Sequence, residues 1–289
     1  MQVWCPAKVN LYLRVVGRRP DGYHEVVTVM QPLTLADALS VTLTGAGISL
    51  TCDRPELPQG EENLVWRAAR LFQEETGLAP GVRLSLLKRI PVAAGLGGGS
   101  SDAAGALLAL NELAGQPLSR DRLYGLASRL GSDVPFFLAR GPAVGRGTGT
   151  QLSPVTLLSY WYLLVNPGVP LSTRWVYENL DLAHLPGPPA TEAWDPEHPE
   201  TWVRNDLGTV AVKRFPELAE LLAALRDAGA WCQGVSGSGP TLFALFHTWE
   251  GAQQAGRQLR RTFRGWLAVA RGLMGPEFDT TWESHVWMI

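Results

Sequence analysis

The chain has 289 residues, 46% of them apolar and 18% charged. At about 150 residues per domain this is one large or two small domains with room for a core, and the composition excludes a disordered chain or a long coiled coil. Its 25 basic and 27 acidic residues leave a net charge of −2; that gives no global field for a polyanion, so nucleic acid is not expected as a partner.

Met1-Gln2-Val3-Trp4-Cys5-Pro6-Ala7-Lys8 lacks the basic start and apolar core of an export signal. The apolar stretch over 155–165 contains Ser159 and falls far short of the roughly 20 residues a membrane helix needs. Cys5, Cys52 and Cys232 are too few and too scattered for a disulfide framework or a CxxC metal site. The expectation is a cytoplasmic protein without membrane attachment, monomer or homodimer.

Residues 9–16 and 39–51 alternate or are β-branched, with turns at Arg19-Pro20-Asp21-Gly22 and Thr44-Gly45-Ala46-Gly47, and read as strands. Over 62–75, Leu64, Val65, Ala68, Ala69 and Phe72 recur at helical spacing before Gly77, and a strand pattern returns over 82–87. The glycines of 95–99 break regular structure. Ser100-Ser101-Asp102 then offers N-cap chemistry for an Ala- and Leu-rich helix over 103–113, and 119–130 reads as a second helix. Further on, 161–165 reads as a buried strand, 186–199 as a proline-dense loop, 216–228 as a helix, 234–239 as a glycine-serine loop and 241–246 as a strand. Mixed strands and helices without strict βαβ alternation predict an α+β protein of two lobes, 1–155 and 156–289. Trp194, Trp202, Trp282 and Trp287 are spread without a repeat, and some of the chain's tryptophans are expected to cover exposed apolar surface, with self-association one outcome.

The strongest local signal is Pro91-Val92-Ala93-Ala94-Gly95-Leu96-Gly97-Gly98-Gly99-Ser100-Ser101. Glycines let backbone N–H groups converge, and a following helix N-terminus adds unpaired donors and the positive end of its dipole, so together they form an anion cradle. The alternative is a plain strand-to-helix turn; the paired serines and the length of the following helix favour a phosphate. There is no Gly-Lys-Ser/Thr ending, no GxGxxG followed by an acid, no HRD or DFG, no GxSxG, and no HExxH, since His24-Glu25 lacks a second His.

Residues 91–103 resemble the phosphate loop PxxxGLGGSSA of the GHMP kinases, with one extra glycine. Gly234-Val235-Ser236-Gly237-Ser238-Gly239-Pro240 resembles a second motif of that superfamily. Within it the chain is most similar to the branch acting on CDP-methylerythritol. The residues that carry this are Pro6-Ala7-Lys8-Val9-Asn10-Leu11, Pro20-Asp21-Gly22-Tyr23-His24-Glu25, residues 95–101 and Gly131-Ser132-Asp133-Val134-Pro135-Phe136, with Glu62-Asn63-Leu64 and Asn166-Pro167-Gly168 extending the match. Asp102 departs from an Asn common at that position; a carboxylate beside phosphates implies magnesium or solvent exposure there.

The resemblance implies a two-lobed GHMP-kinase-like fold with the active site in the cleft between the lobes. It implies ATP as phosphoryl donor, arriving with Mg2+, and CDP-methylerythritol as a small-molecule acceptor phosphorylated on its 2-hydroxyl. Asp133 matches the general base and Lys8 its partner, though an acid at that place also reads as a helix cap and Lys8 as a solvated strand lysine. Asn10, two residues beyond Lys8, shares its face of a strand and matches a substrate contact. Tyr23 and His24 match the cytidine-reading element, the alternative being a hairpin tyrosine and a surface histidine. Tyr177 matches a second aromatic against the cytosine, with Trp175 competing; Thr173 and Gly237 join the acceptor site. Asn63 and Lys88 fall where the family contacts adenine, though Asn63 also reads as a cap and Lys88, beside Arg89, as a solvated pair. No carboxylate cluster marks a metal site, and His184, His198, His247 and His285 lack metal-ligand spacing. The rivals are a GHMP-type kinase for mevalonate, homoserine or a sugar, and a sensor that binds ATP without turnover.

Overall fold

Two long strands organise the N-terminal half. β1 (Gln2–Arg18) and β2 (His24–Thr44) pair antiparallel, and the register shifts between Pro6 and Lys8, between Asn10 and Tyr12, and between Val15 and Gly17. Such irregularities bend a strand and re-aim its side chains, and the first two bracket Lys8 and Asn10. The computed structural model describes residues 1–78, 81–185, 193–275 and 287–288.

The first sheet runs β3 (Ile48–Cys52), β4 (Gly81–Leu87), β2, β1, with β5 (Ala143–Arg146) on β2 and β6 (Gln151–Pro154) on β5. Helices α1 (Leu64–Thr76), α2 (Gly98–Leu113), α3 (Arg120–Leu130) and α4 (Val134–Ala139) supply most of the remaining apolar side chains of the core on one of its faces. After Pro154 the chain enters a second sheet, which contains β7 (Trp161–Asn166), β9 (Cys232–Val235), β10 (Leu242–Phe246), β11 (Trp266–Arg271) and β12 (Trp287–Met288). Its core is shared with α5 (Thr173–Glu178), α6 (Asp206–Arg214), α7 (Glu217–Asp227) and α8 (Trp249–Leu259).

The lobes are stitched rather than merely adjacent. A two-residue strand, β8 (Arg204–Asn205), returns to pair parallel with Tyr12 and Leu13 of β1. A third core lies between the sheets, with Val9, Leu11 and Val29 from one and Tyr162, Leu164 and Phe243 from the other. β1 contributes to all three cores: Val3 and Cys5 to the first, Ala7, Val9 and Leu11 to the third, Leu13 and Val15 to the second. This α+β architecture agrees with the sequence reading. No helix of the described residues is long and apolar enough to cross a membrane.

Three expectations change. The span 39–51 divides into the end of β2 and β3 at the predicted turn. Helix α2 starts at Gly98 with Gly97 as its N-cap, in the left-handed region at φ +70° and without a side-chain cap. Ser100-Ser101-Asp102 therefore lies inside the helix, because a left-handed glycine ends the loop three residues earlier than a cap at Ser100 would. Trp202 is buried, its Nε1 donating to the Asp195 carbonyl at 2.6 Å, and Trp194 lies edge-on between it and Tyr12, so this pair closes the third core instead of an exposed patch. Residues 186–192, Trp282, His285 and the side chain of Trp287 lie outside the described residues.

Candidate active site

A cleft of about 1340 Å³ opens between the two lobes, and β1 runs through it. Lys8 is buried; its Nζ donates to Asn10 Oδ1 and lies 3.4 Å from Asp133 Oδ2. Asn10 is fixed in turn, donating from Nδ2 to Thr28 Oγ1 at 2.8 Å, whose own hydroxyl donates to the Tyr12 carbonyl at 2.8 Å. Lys8 and Asn10 share one face, as period-two alternation requires. Asp133 occupies the N-cap position of α4 yet makes no capping bond, and its side chain is 40% exposed. Its carboxylate is thus open to the cleft with an ammonium beside it, and the capping alternative fails.

The loop 91–97 passes over this pair. The Lys8 amide donates to the Leu96 carbonyl at 2.9 Å, and a Cβ on Gly97 would lie 2.9 Å from Phe137 and 3.0 Å from the Lys8 stem. Glycine is required there by both space and φ. At Gly95, φ +76°, a Cβ would meet the Ser236 carbonyl oxygen at 2.2 Å. The first N–H groups of α2 have no intrahelical partner, and Gly97, Gly98, Gly99 and Ser100 line the cleft along with Pro91, Val92, Ala93, Ala94 and Gly95. Backbone donors, glycine and a helix N-terminus converge as an anion site requires. Leu96 is buried in the third core, and Ser101 lines a separate cavity on the other side of α2, its buried hydroxyl unpartnered. Neither side chain faces the cleft.

Ser236 was overlooked by the sequence reading, which took only Gly237 from its motif. Its hydroxyl donates to the Gly95 carbonyl at 2.9 Å and accepts from the Asn10 amide at 3.2 Å, so one side chain joins the second-lobe loop, the phosphate loop and β1. Gly237, at φ +57°, brings that loop to within contact of Asn10.

Lys88 and Asp102 differ from expectation. Lys88 is not a solvated partner of Arg89, and Asp102 is neither solvent-exposed nor free for magnesium: both are buried, with Lys88 Nζ bonded to Asp102 Oδ2 at 2.7 Å and to Asp37 Oδ2. Asp37, a lone acid in the apolar run 33–39, is the signal that could have pointed to this cluster. Asn63 caps α1, accepting from the Val65 amide at 2.9 Å, while also lining the cleft.

On the opposite wall His24 and Tyr177 stack, ring centroids 4.8 Å apart at 23°. Burial and then the Asp133 carboxylate push the Tyr177 hydroxyl up to about 12. Burial and then the charge of Arg18 lower the pKa of His24, keeping its imidazole neutral. Tyr23 stands 63% exposed at the mouth. Thr173 Oγ1 lies 2.8 Å from Ser238 Oγ. Trp175 packs on Arg214 and does not line the cleft, which leaves Tyr177 as the aromatic there. Among the described residues no three His, Cys, Asp or Glu side chains converge as a metal site.

The family model "GHMP kinases N terminal domain" matches residues 63–141, and "GHMP kinases C terminal" matches 195–265. The 4-diphosphocytidyl-2-C-methyl-D-erythritol kinase of Geobacter sp. (strain M21) is 43% identical over 281 residues, covering 93% of this chain and 98% of the relative. The chain belongs to the GHMP kinases. Another relative of the same name, from Syntrophotalea carbinolica, is 43% identical over 272 residues, covering 92% of this chain and 96% of its own length. A solved 4-(cytidine 5'-diphospho)-2C-methyl-D-erythritol kinase superposes with a TM-score of 0.83 at 39% identity, covering 94% of this GHMP kinase and 99% of that chain. A homoserine kinase from Cytophaga hutchinsonii shares the fold alone, with a TM-score of 0.68 at 19% identity over 100% of this chain and 97% of its own.

Proposed function

We propose that this GHMP kinase transfers the γ-phosphoryl group of ATP to the 2-hydroxyl of 4-diphosphocytidyl-2-C-methyl-D-erythritol, a step in making isoprenoid precursors. The observation that carries the chemistry is the Lys8–Asp133 pair, 3.4 Å apart under a glycine loop that opens a helix. Phosphoryl transfer asks chiefly for positioning and charge stabilisation. Asp133 accepts the proton of the attacking hydroxyl. Lys8 sets its ammonium beside that carboxylate and faces the charge of the transferring group.

The acceptor's cytosine stacks on the aromatic wall of Tyr177, with Tyr23 closing from the mouth and neutral His24 offering ring nitrogens to the base edge. Asn10, Thr173 and Gly237 border the sugar and diphosphate. The nucleotide's phosphates rest on the N–H groups of residues 97–100, and Asn63 lies at the purine end. Magnesium comes with the nucleotide; Ser100 supplies a hard oxygen suited to it, and when bound the ion neutralises phosphate charge.

The relatives' shared name and the retained Tyr23-His24 element support this acceptor over mevalonate, homoserine or a sugar. ADP release in the presence of ATP and magnesium, with CDP-methylerythritol, mevalonate and homoserine offered in parallel, tests it: turnover is expected with the first alone. Asp133→Asn is expected to bind ATP normally while kcat falls by about 10²–10⁴, the range for losing a general base; near-normal turnover removes Asp133 from the mechanism.

A further inference from the structure

The ammonium of Lys88 lies between two carboxylates from distant parts of the chain, Asp37 of β2 and Asp102 of α2. Relative exposures are 8%, 0% and 2% in that order. If both acids ionised, the cluster would carry an unmatched negative charge out of water, which is expensive. Donor count decides where the charge resides. Asp37 accepts from Lys88 Nζ and from the backbone N–H groups of Arg89 and Ile90, the last at 2.9 Å. Among the described residues Asp102 accepts one charged donor, Lys88, with the Cys5 thiol also against it, and its Oδ1 is buried without a partner. Donors stabilise the charged form, so Asp102, the carboxyl with fewer donors, keeps the proton, on the oxygen that Lys88 does not reach. Burial, and then the Asp37 carboxylate, likewise hold the Asp102 carboxyl well above the usual range.

The placement gives the cluster a task. Asp37 pins residues 88–90, the entry to the glycine loop, and Asp102 stands just past the first turn of the helix that leaves it. Lys88 therefore ties the two ends of the loop together. A Cβ on Gly98 would lie 3.2 Å from Lys88 Nζ, so the cluster sits against the first residue of α2, at the anion site.

We propose that Lys88, Asp37 and a protonated Asp102 form a buried clamp of zero net charge that fixes both ends of the phosphate loop, acting as positioning residues for ATP rather than as contacts to its adenine. This rests on reading the loop as the ATP cradle. It differs from a merely structural cluster in that the two acids, though bonded to the same ammonium, are not equivalent.

The test compares Asp37→Asn with Asp102→Asn, two near-isosteric changes. The first removes the ionised member; the second replaces a neutral acid with a neutral amide. Asp37→Asn is expected to raise KM for ATP at least about fivefold more than Asp102→Asn does, with kcat at saturating ATP within about threefold between the two. Equal effects on KM, or a fall in kcat at constant KM, overturn the clamp. Should Asp37→Asn fail to fold, infrared difference spectra of wild type and Asp102→Asn at neutral pH decide: the carbonyl stretch of a protonated carboxyl, lost in the variant, supports the proposal, and its absence from the wild type overturns it. Wild-type protein that binds no ATP while keeping that band overturns the kinase reading instead, and leaves the charge state of the cluster standing.

Discussion

The two ends of the cleft are built in opposite ways. The phosphate end is backbone: glycines at φ +70° and +76°, a helix N-terminus, and a buried ion cluster beneath. The acceptor end is side chain: Tyr23 63% exposed, a six-residue helix carrying Thr173 and Tyr177, and a surface network of Arg19, Asp21 and Glu25. Anion recognition by N–H groups is indifferent to what carries the anion, so it can be rigid and shared among kinases of this fold. Reading a base, as proposed for Tyr177, Tyr23 and His24, depends on ring shape and edge, so it falls to side chains and not to the backbone.

If this contrast is sound, damage at the phosphate end should be large and should strike ATP use. Gly95→Ala forces a Cβ to 2.2 Å from the Ser236 carbonyl at a φ that L-residues avoid. A displaced loop is expected to lower kcat/KM for ATP by about 100-fold or more, read in steady-state assays beside a thermal melt. Damage at the acceptor end should be smaller and one-sided. Tyr177→Ala removes a stacking surface of the kind that contributes about 1–3 kcal/mol per base, so KM for the acceptor should rise about tenfold while KM for ATP holds; a matching rise for ATP would erase the distinction between the ends. The smallest effect concerns pH. The pKa of His24 is lower in the folded chain than in the unfolded, so the folded state binds fewer protons and that imidazole contributes its loss of stability only as pH falls. Binding of CDP, followed by calorimetry to keep Asp133 chemistry out of the readout, should change less than about twofold from pH 8 down to the ordinary histidine value near 6.5. A steep loss within that window would show His24 charging in the site.

What the sequence disclosed and what it hid follow the same division. The glycine loop, the Lys8–Asn10 alternation and the Gly77 helix stop are local patterns, and each was legible; Tyr177 entered only through the family resemblance, with Trp175 competing. Asp102 was misjudged because its partners, Lys88 and Asp37, stand 14 and 65 positions away, and only the fold reveals that a carboxylate beside an anion site is neutralised from below. β8 was invisible, since two residues have no periodicity. The start of α2 was misplaced because a left-handed glycine performs the cap that the following serines advertised.

One hydroxyl near the cleft floor has consequences for how the molecule moves. Ser236 is bonded at once to β1 and to the phosphate loop, and the sheets on either side share the third core and the β1–β8 pairing. The joint between the lobes therefore has no play: rotating one lobe away from the other would break all three attachments together. Tyr23, 63% exposed at the mouth, stands clear of that joint, whereas α5 is held to the second lobe through Val176, buried in its core.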